Sequence, residues 1–211
     1  MNNPKEIVRQ GYDKLSVHYR EHFTKSHNEL YKKWTQTLLG LLPNTPSILE
    51  LGCGDGIPLA QILSPTCKYW GIDISTVQIE NAKKNVPNTA FMAKDMTAIS
   101  YPSNSFNGII ALYSIIHIPS SEQYELLKNI YQWLTPNGIF LCIVGASHWT
   151  GVEKDWIMKD VAMYWSHVDS KTYAEWFEKI GFIQLEMEFI PENDIGHTLF
   201  LLKKNDNPQL A

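Results

Sequence analysis

The segment Glu50-Leu51-Gly52-Cys53-Gly54-Asp55-Gly56 limits what this chain can fold into more than any other stretch of it. It follows the apolar run Ile48 to Leu51 and precedes a helical pattern from about Ile57. Glycine at alternate positions lets the backbone turn sharply and approach a ligand, and the first amides of the next helix then face a negative group, a carboxylate or a phosphate. The same rhythm continues with an apolar run Tyr69 to Ile72, a helix Val77 to Asn85 and a run Thr89 to Ala93, as in βαβ units of a parallel sheet. A fourth strand, Phe106 to Leu112, follows the turn-forming Pro102-Ser103-Asn104-Ser105, and a fifth, Ile139 to Val144, follows Thr135-Pro136-Asn137-Gly138, with an amphipathic helix Glu122 to Leu134 between them.

The two ends read differently. Residues 5–42 carry helical apolar stripes, Ile7, Gly11 and Leu15 and then Leu30, Trp34, Leu38 and Leu41, with a break expected near Thr24 to Asn28 and a stop at Pro43 and Pro46. After the fifth strand, the aromatic stretch His148 to His167 has neither a helical nor a strand period, and the substrate pocket is expected there. A helix Lys171 to Ile180 then stops at Gly181, and a strand Phe182 to Phe189, a turn Pro191 to Asp194 and a strand His197 to Lys203 follow. So short a connection makes the last pair antiparallel.

A second carboxylate sharpens the functional reading. Asp73, seventeen residues past Gly56, ends the second strand, where an acidic side chain accepts hydrogen bonds from both hydroxyls of a ribose. Asp95, after the third strand, lies at the same carboxyl edge of the sheet, where open α/β sheets bind ligands, although the same residue type also caps helices.

With these residues the chain resembles the class I S-adenosylmethionine-dependent methyltransferases of the small, single-domain kind, from about Tyr12 to Lys203. In that family an acidic residue precedes the glycine loop, as Glu50 does here. Dinucleotide dehydrogenases use G-x-G-x-x-G, and here the sixth position is Ile57. The resemblance implies a Rossmann-like, doubly wound α/β sheet of seven strands in the order 3-2-1-4-5-7-6, its last strand antiparallel, with N-terminal helices. The whole of 1–211 is then one domain, 1–43 a helical cap and 146–168 an aromatic substrate lid.

The resemblance also implies S-adenosylmethionine as cofactor. Gly52, Cys53, Gly54 and Gly56 with Glu50 would border its methionine part, Asp73 the ribose, Asp95 and Met96 the adenine, and Ile74 would pack on the adenine ring; Leu112 would lie beneath the sulfonium, and Tyr19, or Tyr12, would close over the top. Asn107 stands where many relatives carry Asp, which points to a structural amide.

Methyl transfer from a sulfonium is an in-line displacement, so the protein need supply no nucleophile. An oxygen or nitrogen acceptor does need to lose a proton, which makes histidine the natural base. His117 and His167 are the candidates, ahead of His148 and His197, while Tyr113, Trp149, Tyr164 and Trp165, with Trp156, would cage the acceptor. A metal set of His148, Glu153, Asp155 and His167 matches no ligand motif, so none is expected.

A net charge of −4 and a pI near 6.0 offer no basic field for a phosphate backbone, so a small-molecule acceptor is expected and nucleic acid is not. Three cysteines without paired spacing, and no apolar leader or membrane span, point to a cytoplasmic protein, monomer or homodimer. The competing readings are a nicotinamide-dependent oxidoreductase, against which Glu50, Ile57 and the terminal hairpin count, and a non-catalytic S-adenosylmethionine binder.

Overall fold

The computed structural model describes residues 3–192 and 195–205, apart from the side chains of 16–28 and of Ile195. It opens with one helix, α1 (Pro4–Gly40), instead of a broken pair. Its start is set locally: the Asn3 side chain accepts from the Lys5 amide, Pro4 takes the first turn where no N–H is needed, and Glu6 faces the positive helix end. Strands and helices then alternate as β1 (Ser47–Leu51), α2 (Leu59–Leu63), β2 (Lys68–Asp73), α3 (Thr76–Asn85), β3 (Ala90–Ala93) and β4 (Phe106–Leu112). A 3-10 turn (Ile115–His117), α4 (Ser120–Trp133), β5 (Leu134–Gly145), β6 (Trp149–Glu153), β7 (Met163–His167), α5 (Ser170–Ile180), β8 (Phe182–Glu192) and β9 (Ile195–Lys204) follow.

Seven strands form one sheet in the order β3-β2-β1-β4-β5-β9-β8. The first five are parallel, and β9 runs antiparallel to both β5 and β8. This order differs in its labels from the expected 3-2-1-4-5-7-6 because two further strands, β6 and β7, precede the terminal pair and stand apart as a separate hairpin. Parallel strands buried on both faces need apolar residues at every position, which is why β1, β4 and β5 read as continuous runs. Leu49, Ile109, Phe140 and Phe200 face α4 and α5, while Ile48, Ile110, Leu141 and Leu201 face α1, α2 and α3. Helices thus cover both faces, and the carboxyl ends of β1, β2 and β4 open on one edge.

The hairpin corrects the expectation that 148–167 has no regular structure: Trp149 pairs with His167 and Glu153 with Met163. Alternation is missing because β6 is mostly exposed, Trp149 and Val152 included, and only β7 packs inward. It packs against α1 at Gly11, where a Cβ would stand 2.8 Å from the Ala162 carbonyl. The helix can come this close only because that position lacks a side chain. Likewise β8 extends through Glu192, past the expected turn at Pro191, and Glu192 pairs with Ile195.

Candidate active site

The loop after β1 takes its shape from three left-handed residues, Gly52 (φ +83°), Gly54 (φ +52°) and Gly56 (φ +80°). At Gly52 a Cβ would lie 2.3 Å from that of Ser114, whose hydroxyl donates to the Leu51 carbonyl at 2.6 Å. Loop and β4 exit are thereby locked together. Most of the loop's amides are committed inside the protein: Gly52 and Cys53 donate to the Ile72 carbonyl, Gly54 to Asp73 Oδ2, Gly56 to the Cys53 carbonyl and Ile57 to Asp55 Oδ1. The following helix is only five residues long and is preceded by Pro58, which has no N–H. The expected cradle for a carboxylate or phosphate at a helix start is therefore not what this loop offers. Its ligand-facing feature is space: a Cβ on Gly54 would meet no atom within 4 Å.

That space belongs to a cavity of about 230 Å³ at the carboxyl edge of the sheet. Glu50, Gly52, Cys53, Gly54, Asp73, Ile74, Asp95, Met96 and Leu112 line one end of it. Gly56 stands outside, where a Cβ would meet Phe91, Ala82 and Ala60 at 3.3–3.5 Å. The Tyr19 side chain lies outside the described residues. Asp73 Oδ2 accepts from Gly54 at 2.9 Å and Oδ1 from the Ser75 amide at 2.8 Å, which fixes the carboxylate at the mouth of the loop. Burial pushes its pKa up to about 6 against those two hydrogen bonds. Asp95 is held below the ordinary carboxylate range; burial opposes this, and the Thr97 amide and the Lys5 ammonium, 3.0 Å away, outweigh it. The same ammonium is 2.5 Å from Glu122 Oε2 and 2.5 Å from Thr97 Oγ1, so α1 is pinned over this end.

Glu50 is 5% exposed and accepts a hydrogen bond from Tyr69; burial pushes its pKa up to about 8. A carboxyl with a raised native pKa holds its proton in the folded state between the two values, so stability falls as pH rises across that window. Asp73 contributes only below about 6, and the lowered His117 and His167 only below 6.5, which leaves pH 6.5–8 to Glu50. The ligand-free protein should lose roughly 1–2 kcal/mol between pH 6.5 and 8. Glu50→Gln should remove most of that slope in thermal melts; an unchanged slope would show that Glu50 ionises freely.

Tyr113, Ile116, His117, Trp156, Trp165, Glu192 and His197 line the cavity as well, with Tyr12, Trp156 and Trp165 gathered around His117 into an aromatic end, and Ser114 lines it beside Gly52. Tyr113 has φ +57°, a conformation few side-chain-bearing residues adopt and one that concentrates at functional sites. His117 is 6% exposed, with Nδ1 2.8 Å from the Tyr164 carbonyl and Nε2 2.9 Å from the Tyr12 hydroxyl. Burial lowers its pKa to about 4, so the ring is neutral near pH 7. Trp165 lies over it with ring centroids 4.4 Å apart.

Besides Gly56, three expected site residues do not reach this cavity. His167 fills the space left by Gly145, where a Cβ would stand 2.2 Å from its Nδ1, and that nitrogen meets the Ser147 carbonyl. Trp149 is 43% exposed on the outer strand of the hairpin. Tyr164 contributes its carbonyl to His117, and its ring lines no part of the cavity. Lys5, Gln78, Ser114, Ile116 and Glu192 line it without having been singled out in the sequence. Among the described residues no group of three or more His, Cys, Asp or Glu is placed to hold a metal ion, and no helix is long and apolar enough to cross a membrane.

A family model described as a methyltransferase domain matches residues 18–186. The chain belongs to that family. It is a class I S-adenosylmethionine-dependent methyltransferase, and S-adenosylmethionine is the cofactor of the family. Demethylmenaquinone methyltransferase of Lactococcus lactis is 24% identical to this methyltransferase over 213 residues, 86% of this chain and 81% of that protein. The next curated relatives are matched over about a quarter to a half of their own length. Among solved structures, the 1,6-didemethyltoxoflavin-N1-methyltransferase of Burkholderia thailandensis, with bound 1,6-didemethyltoxoflavin and S-adenosylhomocysteine, aligns at a TM-score of 0.72 and 15% identity over 98% of this chain and 92% of that one. Magnesium protoporphyrin IX methyltransferase of Synechocystis, with bound S-adenosylhomocysteine, aligns at 0.74 and 14% identity over 96% and 100%. At such identities the likeness is one of fold.

The cavity fits this cofactor on its own features: open space beside Gly54, a fixed carboxylate at Asp73, and apolar walls at Ile74 and Met96.

Proposed function

We propose that this methyltransferase acts on a small molecule seated among Tyr113, Ile116, Trp156 and Trp165. One observation carries the reading: a single cavity joins the Asp73 and Asp95 end to the aromatic end at His117. In this reading Asp73 holds the ribose hydroxyls, Asp95 and Met96 the adenine edge with Ile74 against the ring, and Glu50, Gly52, Cys53 and Gly54 border the amino-acid part. When bound, the cofactor supplies an electrophilic methyl group. The protein's share is to fix two reactants in line and to keep water out, which α1 does as a cap and the β6–β7 hairpin as a lid. Neutral His117 is available to take the proton that an oxygen or nitrogen acceptor must lose.

Support for a small acceptor comes from the aromatic walls, the acidic balance of the chain, and the names of relatives that act on a toxoflavin precursor and a porphyrin. Free, buried Cys53, Cys67 and Cys142 suit a reducing, cytoplasmic setting. We take the working unit as a monomer or homodimer that needs neither nucleic acid nor membrane. Neither an oxidoreductase nor a non-catalytic binder gains support from the family match.

Titration calorimetry should show S-adenosylmethionine and S-adenosylhomocysteine binding and NADH not binding. Labelled methyl should pass to a member of a panel of small phenols, amines and N-heterocycles and not to total RNA. Label in RNA, or no binding of either sulfur ligand, would overturn the proposal.

A further inference from the structure

His117 does not present a bare nitrogen to the cavity. A carbonyl oxygen can only accept, so its contact with Tyr164 puts the proton of the neutral ring on Nδ1. Nε2 is then the acceptor, and the group facing it at 2.9 Å is the hydroxyl of Tyr12, which donates. Both side chains line the cavity, and Trp156 and Trp165 flank the pair, with Trp156 5.9 Å from the Tyr12 ring. An acceptor in the aromatic end therefore reaches His117 through a hydroxyl already oriented toward it.

Resting on the reading above, we infer that Tyr12 is a catalytic residue that passes the acceptor's proton to His117. As the bond from methyl to the acceptor heteroatom forms and the bond from methyl to sulfur breaks, the acceptor's proton moves to Tyr12 Oη and the tyrosine's own proton moves to His117 Nε2. The sulfonium's positive charge disappears as an imidazolium appears, so the net charge of the buried cavity is conserved. That balance lets a buried histidine accept a proton during transfer although burial disfavours its charged form when nothing else changes. His117 acts through Tyr12 and is the final proton acceptor.

The fold places the hydroxyl on purpose-built contacts. Tyr12 is on the same helix as Lys5, which binds Asp95 and Glu122, and as Asp13, whose Oδ1 accepts from the Ser75 hydroxyl at 2.6 Å. Gly11, beside it, allows the close approach to β7. The adenine-end anchor and the proton relay thus share one rigid element, so undocking α1 would remove both together.

The test uses the full chain with Tyr12→Phe, His117→Gln and the double variant, and 4-nitrophenol and 4-nitroaniline as oxygen and nitrogen probes with methyl-labelled S-adenosylmethionine. Each single variant should bind S-adenosylhomocysteine within threefold of the wild type and lower kcat about 100-fold, and the double variant should lose no more than either alone, because the two residues act as one unit. Nitrogen-15 spectra of histidine-labelled protein should show the His117 proton on Nδ1, with the Nε2 signal shifting in Tyr12→Phe. The relay is overturned by a Tyr12→Phe enzyme within threefold of the wild-type kcat, by losses that multiply in the double variant, or by a proton found on Nε2. If neither probe is methylated the spectra decide, and an Nε2 signal unmoved in Tyr12→Phe overturns it. Failure of the wild type to bind S-adenosylhomocysteine would instead overturn the cofactor reading.

Discussion

Asp73→Ala is expected to weaken S-adenosylhomocysteine binding by two to three orders of magnitude. The carboxylate has two tasks that fail together. It would accept from the ribose hydroxyls, and charge-assisted hydrogen bonds contribute about 1.5–3 kcal/mol each. It also holds the glycine loop, since Gly54 and Ser75 donate to its two oxygens. Alanine leaves those amides without their partner, and the loop that shapes the cavity loosens. Asp73→Asn keeps one oxygen acceptor and should fall between alanine and wild type. Acid should act in the same direction: with the pKa raised to about 6, affinity should drop as pH falls through 6 and the carboxylate is lost. Calorimetry at pH 7.5 and 5.5 measures both effects. An Asp73→Ala protein that binds within threefold of wild type would remove Asp73 from the site.

The parts of this picture that were legible in the sequence are those governed by short-range rules. Gly52 and Gly54 lie where a strand must turn tightly, and Asp73 at the end of the next strand, so spacing alone brought them to one edge. The stretch Phe106 to Leu112 read as a strand because both of its faces are covered and turn residues bound it. Gly181 stopped α5 as expected, with φ +105°. The failures come from contacts between distant residues. Nothing near Lys5 announces Asp95, ninety residues on, or Glu122. His117 and His167 were equivalent in sequence; what separates them is that Gly145 leaves a slot into which the His167 ring turns, away from the cavity. The β6–β7 hairpin escaped because a strand with little to bury has no reason to alternate.

The largest effect on stability should come from Gln123, which no local pattern marks. It is 0% exposed, and its Nε2 donates to the carbonyls of Ile115 at 3.1 Å, Ile118 at 2.7 Å and Ser166 at 2.7 Å, while its Oε1 accepts from the Tyr173 hydroxyl at 2.6 Å. One amide thus joins the 3-10 turn that carries His117, strand β7, and α5. Gln123→Leu has nearly the same volume but strands the buried Ile118 and Ser166 carbonyls and the Tyr173 hydroxyl, while the Ile115 carbonyl keeps the Ile118 amide, and each stranded group costs about 1–3 kcal/mol. Some relaxation will return part of this, so a net loss of about 3–5 kcal/mol is expected, a fall in Tm of roughly 10 °C for a chain of this size. Tyr173→Phe breaks only one of the four contacts and should lose about 1 kcal/mol. Gln123→Glu keeps an acceptor for Tyr173 but turns the amide donor toward three carbonyls into a second oxygen, and should be no more stable than leucine. Because the same amide fixes the turn, Gln123→Leu should also disturb the His117 imidazole signals in the folded fraction while Tyr173→Phe leaves them in place. Equal melting temperatures for the leucine and phenylalanine variants would mean that the Ile118 and Ser166 carbonyls find other partners and that His117 is held in place by its own two hydrogen bonds.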